Sequence, residues 1–166
     1  DYVNPSTPLE VDGVLYANIG STRNVVALDA TNGQVLWLWR YQEGDRFDEA
    51  PRKGAGRGVS YWSDGESARI IDVSPGYQLV SLDAETGIPD PNFGDNGLVD
   101  LYVGVRNGED DRFAYPDIGL SAPPFVMNDV IVIGAAHRTG GRPRSKFNTK
   151  GDVRGFDVHT GELLWN

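Results

Sequence analysis

Three stretches of the chain follow one pattern: "VVALDATNGQVLWLW" at 25–39, "LVSLDAETGIPDPNF" at 79–93 and "VRGFDVHTGELLWN" at 153–166. Each places an Asp four residues before a Gly, as Asp29 and Gly33, Asp83 and Gly87, and Asp157 and Gly161. A tight turn between two strands needs one residue that takes positive φ without steric cost, which Gly supplies, and a short acidic side chain beside it can accept the turn's N–H groups. Four residues beyond each glycine stand Trp37, Pro91 and Trp165, so two of the three copies carry an indole at one point of the outgoing strand. A buried indole there would dock one unit on the next.

The runs before the turns, among them "GVLYANIG", "ARIIDVS", "QLVSLDA" and "DVIVIGAA", are β-rich, and none keeps helical spacing over a helix's length. The repeat therefore predicts an all-β chain of antiparallel four-stranded blades of a β-propeller, near residues 7–42, 58–101 and 121–166. The glycines recur at intervals of 54 and then 74 residues, and the excess over a minimal blade falls in Gly/Pro-rich segments such as "EGDRFDEAPRKGAGRG" and "HRTGGRPRSKFNTKG". Propellers close with typically 4–8 blades. Three units form an incomplete ring, whose end faces and unpaired strand edges require further blades or other chains.

Composition narrows the partners. With 39% apolar residues, 166 residues suffice for a core of their own. The net charge of -9 would repel a phosphate backbone and an anionic membrane surface, which argues against nucleic acid as a partner. There is no cysteine, hence no disulfide frame and no thiolate metal site. No apolar run approaches the roughly 20 residues of a transmembrane span, and the first residues lack the basic and apolar pattern of a signal peptide.

The turn pattern, taken with "TPLEVDGVLYA", "GRGVSYW", "SAPPFVMNDVIVIGAA" and "KGDVRGFDVHTGELLW", resembles the pyrroloquinoline quinone (PQQ) dependent dehydrogenases, in the glucose and quinate branch rather than the methanol branch. The likeness runs over nearly the whole chain. It implies an eight-bladed periplasmic propeller with PQQ and Ca²⁺ on its axis. Such an enzyme oxidises a sugar, polyol or other alcohol and passes electrons to a quinone or cytochrome acceptor. The implied chemistry is hydride removal from a carbinol carbon, with an Asp as base and Ca²⁺ polarising the quinone. No matching Asp stands in this sequence, so the base and most metal ligands are expected outside it.

By this resemblance Arg57, in "GRGVSYW", contacts the cofactor. A planar fork of fixed charge suits an acidic, planar ligand; the bare sequence favours a surface or inter-blade ion pair, and the "GRGVSYW" context reverses that preference. Ser121, before the "APPF" strand, and Ala136, with His137 beside it, are the other cofactor-side candidates. A hydroxyl can donate to the ligand's oxygens and a small residue leaves room for a flat ring. Ser121 also reads as a strand-start cap, Ala136 as close packing, and His137 as a polar group at a loop mouth. Two departures from the family stand out. The adjacent cysteines of the alcohol enzymes are replaced by "RKGAG" at 52–56, and a metal-side carboxylate is replaced by Pro5, which has no side-chain ligand for Ca²⁺.

Other constellations lead elsewhere. "DPNFGDNGLVDL" lacks the ligand order of a calcium loop and reads as a solvated acidic loop. The basic segment from His137 to Arg154 guides an anionic substrate, grips a neighbouring segment or is simply a solvated insertion. "GAGRG" has neither the Lys-Ser/Thr nor the helix of a phosphate loop. A non-enzymatic propeller that scaffolds other proteins is the alternative reading of the whole, disfavoured by Arg57 in its context and by the long inserts at 43–57 and 102–120.

Overall fold

Period-two apolar patterning and turns with positive φ generate three four-stranded antiparallel sheets, one for each copy of the repeat. The computed structural model describes residues 5–107, 115–138 and 145–166. The first sheet runs in chain order through β1 (Leu9–Val11), β2 (Val14–Ile19), β3 (Asn24–Asp29) and β4 (Val35–Trp39). After a single short helix, α1 (Asp45–Glu49), the second sheet repeats this order in β5 (Ser60–Ser63), β6 (Ala68–Val73), β7 (Gln78–Asp83) and β8 (Leu98–Asp100). A short strand β9 (Ile118–Gly119) precedes β10 (Phe125–Met127), β11 (Val130–Ile133), β12 (Ala136–His137), β13 (Arg154–Asp157) and β14 (Leu163–Trp165). The third sheet has the order β10-β11-β13-β14, while β12 leaves it to pair with β9. This is an all-β fold of propeller blades, with the ring incomplete in this chain. Among the described residues, no helix is long and apolar enough to cross a membrane.

The repeated turns are built alike. Gly33, Gly87 and Gly161 have φ of 76°, 70° and 75°, and their N–H groups donate to the carbonyls of Asp29, Asp83 and Asp157 at 2.8, 2.8 and 2.9 Å. The three Asp carboxylates accept the backbone N–H of Thr31 at 2.7 Å and of Thr86 and Thr160 at 2.8 Å.

Alternation along the second sheet feeds two cores at once. Ile70, Val80 and Leu82 face the first sheet, where they meet Tyr16, Val25 and Ala27; Ile71, Val73 and Leu79 face the third, where they meet Ile131, Ile133 and Phe156. Each such side chain, fully buried, contributes on the order of 1.5–3 kcal/mol.

The blades are also pinned through their turns. Trp37 lies on the Gly87 turn and its Nε1 donates to the Ala84 carbonyl at 3.0 Å. The second blade has Pro91 at the equivalent position, in a loop rather than a strand, and uses other groups for the same purpose. Arg69 Nη1 donates to the Val158 carbonyl at 2.6 Å, and Val99 and Phe93 cover Gly161.

A Cβ at Gly87 would stand 2.5 Å from the Trp37 ring, whereas at Gly65, also left-handed with φ of 91°, it would meet nothing within 4 Å. Both Gly→Ala changes carry backbone strain. Gly87→Ala in the intact protein should cost a further ~1–3 kcal/mol of overpacking, measured by denaturant unfolding; equal losses would mean that the indole does not hold the blades.

Candidate cofactor site

Residues 40–59 carry the chain from β4 to β5, and Arg57 lies on this connection three residues before β5. Its neighbours explain the local sequence "GRG". A Cβ on Gly56 would lie 2.9 Å from Nε of Arg23 and 3.1 Å from Oδ1 of Asn18, and one on Gly58 would lie 2.9 Å from the Thr7 carbonyl. The Gly58 N–H donates to Asn18 Oδ1 at 3.1 Å, and the Arg57 carbonyl accepts the Thr7 N–H at 3.1 Å. The backbone at Arg57 is thus clamped on both sides. Its side chain is exposed and makes no hydrogen bond or ion pair among the described residues.

The pairing of β9 with β12 positions the strand that bears Ala136 beside the segment that leads to Ser121. Ala136 stands opposite Gly119, and Ser121 follows Gly119 by two residues; both are half-buried. His137 occupies the next position of β12, on the opposite face from Ala136. Its ring Nε2 lies 2.8 Å from the Thr149 carbonyl, and its own carbonyl accepts from Arg52 Nη2. This imidazole ties β12 to the segment before β13.

Between these two parts lies Arg23, a residue of the β2–β3 turn that is only 3% exposed. Its guanidinium donates to four carbonyls: Val73 at 2.7 Å, Leu120 at 2.6 Å, Arg52 at 2.8 Å and Gly54 at 3.2 Å. Burial lowers its pKa, opposed by the charges of Asp72 and Glu43, yet a guanidinium stays protonated. Asp72 is 2% exposed and accepts Asn18 Nδ2 at 2.9 Å; burial pushes its carboxyl up to about 7 against the pull of Arg23. Glu43 caps the β6–β7 turn, accepting Ser74 Oγ at 2.6 Å and the Gly76 N–H at 2.9 Å.

The charged loops resolve into structural pairs. In "DPNFGDNGLVDL", Asp90 pairs with Arg69 and Asp100 with Arg46, so the segment is not simply a solvated acidic loop. In the basic segment Arg138 pairs with Asp117, and buried Arg154 donates to the carbonyls of Leu101 and Val103. These cations grip neighbouring chain; Arg142 and Arg144 lie outside the described residues. Among the described residues, no three His, Asp or Glu side chains gather as metal ligands. A cleft of about 450 Å³ opens between Thr22, Tyr41, Glu43 and Phe47 and includes none of the four candidate residues.

All of residues 1–166 match the family described as PQQ, the glucose/ethanol/alcohol dehydrogenase beta-propeller domain. The chain belongs to this family. It is 30% identical to the glycerol dehydrogenase large subunit of Gluconobacter thailandicus, over 96% of this chain and 21% of the relative, and 28% identical to the quinoprotein glucose dehydrogenase of Escherichia coli K12, over 99% and 21%. A quinohemoprotein alcohol dehydrogenase of Pseudomonas putida HK5 superposes with a TM-score of 0.69 at 27% identity, over 98% of this chain and 20% of that one. The chain spans about one fifth of the length of these PQQ relatives.

The sequence motifs name Arg57 and Ser121 but pass over Arg23, Asn18 and Asp72, which lie between them. A turn reading "STRN" carries no sign that its arginine is buried. A carboxyl with a folded pKa of about 7, against ~3.9 when free, binds its proton more tightly in the folded state. Stability is then lost as pH rises from about 4 to about 7. Asp72→Asn, in thermal melts of the intact protein at pH 5 and pH 8, should flatten this loss. An unchanged pH dependence would show that Asp72 is ionised throughout.

Proposed function

We propose that this chain forms three consecutive blades of a larger PQQ-dependent dehydrogenase, and that Arg57, Ser121 and Ala136 line one wall of its cofactor site. The observation that carries this reading is Arg57: an exposed guanidinium on a backbone clamped between two glycines, with no acid paired to it among the described residues. A planar tricarboxylate quinone matches such a group in charge and in shape. Ser121 offers a hydroxyl donor, and Ala136 a side chain small enough to pass beside a flat ring. His137 borders the site from the other face of β12, its ring engaged with Thr149.

When bound, PQQ supplies the two-electron acceptor for alcohol oxidation. The residues of this chain bind it, orient it and exclude water on one side. Membership of the family, and relatives that are glycerol and glucose dehydrogenases, support a sugar, polyol or other alcohol as substrate, with electrons leaving to a quinone or cytochrome. Ca²⁺ belongs to the same reading, with its ligands drawn mainly from outside this chain. The periplasm is the compartment in which such an enzyme would work.

Two features support continuation of the ring on both sides. The Gly33 turn has open space where the Gly87 turn carries an indole, and Trp165 is 46% exposed at the position equivalent to Trp37. Leu36 and Leu38 on the first blade, and Phe125 and Met127 on the third, add exposed apolar surface suited to neighbouring blades.

Loss of a charge-assisted hydrogen bond costs about 1.5–3 kcal/mol. Arg57→Ala in the full-length parent should therefore weaken PQQ binding at least tenfold in a titration of the apo-protein, and Lys146→Ala, an exposed cation on the basic segment, should leave it unchanged. Equal affinity of the two variants would remove Arg57 from the site. No PQQ-dependent turnover of any alcohol, sugar or cyclic polyol by the intact parent would favour the scaffold alternative.

A further inference from the structure

The residues that hold the candidate wall together come from the first blade, on the β2–β3 turn and the end of β2. We propose that Arg23, seconded by Asn18, is the positioning residue of the cofactor site: it fixes the loop bearing Arg57 and the segment bearing Ser121 at one separation before the cofactor arrives. This inference rests on the reading of Arg57 and Ser121 as cofactor contacts.

One guanidinium spans the two parts. Its Nε and Nη2 take the carbonyls of Gly54 and Arg52, on the Arg57 loop, while Nη1 takes the carbonyl of Leu120, the residue next to Ser121. A second bond from Nη1, to the Val73 carbonyl at the end of β6, fixes the pair to the central blade. Asn18 adds its Oδ1 to the Gly58 N–H, on the far side of Arg57. The geometry demands an arginine. Only a planar fork with five donors can satisfy four carbonyls from one buried cation, whereas a lysine has three donors on a single point and cannot bridge them.

Pre-formed geometry matters for a rigid planar ligand, because ordering a loop at the moment of binding subtracts from affinity. The guanidinium is buried at the root of the wall, so Arg23 would act on the ligand through Arg57 and Ser121. Once Arg57 is gone, the effect of Arg23 on affinity should shrink to the part that passes through Ser121.

The test uses Arg23→Lys, Arg57→Ala and the double variant in the full-length parent, with two readouts. In hydrogen–deuterium exchange on the apo-protein, Arg23→Lys should speed exchange at least tenfold in 52–58 and in 118–121 together, while Ala68–Val73 and Gln78–Asp83 keep their protection. In PQQ titrations each single variant should bind at least tenfold more weakly, and the double variant should lose less than the product of the two single losses. If Arg23→Lys does not yield folded protein, Asn18→Ser takes its place and is read on 52–58 and on the same double-variant comparison with Arg57→Ala. Exchange that is unchanged, or raised uniformly across the blades, overturns the inference, as do additive losses of affinity. An Arg57→Ala variant of unchanged affinity is a separate pattern: it overturns the site reading itself, and this inference with it.

Discussion

The central sheet is apolar on both faces, and the rest of the architecture depends on this constraint. Side chains of β6 and β7 alternate between two cores, Ile70 and Val80 towards the first blade and Ile71 and Leu79 towards the third. A strand pair of this kind cannot be solvated on either side, so each blade requires a neighbour. Turn contacts then set how the neighbours sit. Trp37 on Gly87 joins the first two blades, and Arg69 with Phe93 and Val99 performs the same role between the second and third.

Apolar packing stops at the ends of the strands, and a buried polar cluster takes over. Arg23, Asn18 and Asp72 are buried and Glu43 half-buried, and Arg23, Asn18 and Glu43 bond backbone groups of the second blade and of the connections before and after it, where each unmade bond would be costly. The cluster fixes the positions of loops without contributing a reactive group. Arg57 differs in kind: its backbone is clamped from both sides while its charge faces outward. Rigid support beneath an unneutralised cation is an arrangement suited to an acidic ligand.

The features legible in sequence are those encoded locally. The Asp-to-Gly spacing of four residues marked the three turns, and the β-rich runs "ARIIDVS" and "QLVSLDA" marked strands of a blade. The β9–β12 pair that places Ala136 opposite Gly119 was out of reach, because two-residue strands leave no periodic signal. So was Arg69 as the donor to Val158, a substitute for an indole in a different strand. The "GRG" of the Arg57 loop read as a motif, but the reason for its glycines was invisible: they are pressed against Arg23, Asn18 and Thr7, residues more than thirty positions earlier in the chain. Long-range close approach leaves only the small residue in the sequence and no trace of what it approaches.

The placement of Arg57 is tested most directly by an experimental structure of the full-length parent with PQQ bound. A carboxylate or quinone oxygen of the cofactor should lie about 2.7–2.9 Å from the Arg57 guanidinium, with Ser121 and Ala136 on the same wall. PQQ bound elsewhere, with Arg57 paired to an acid from another blade, would contradict it.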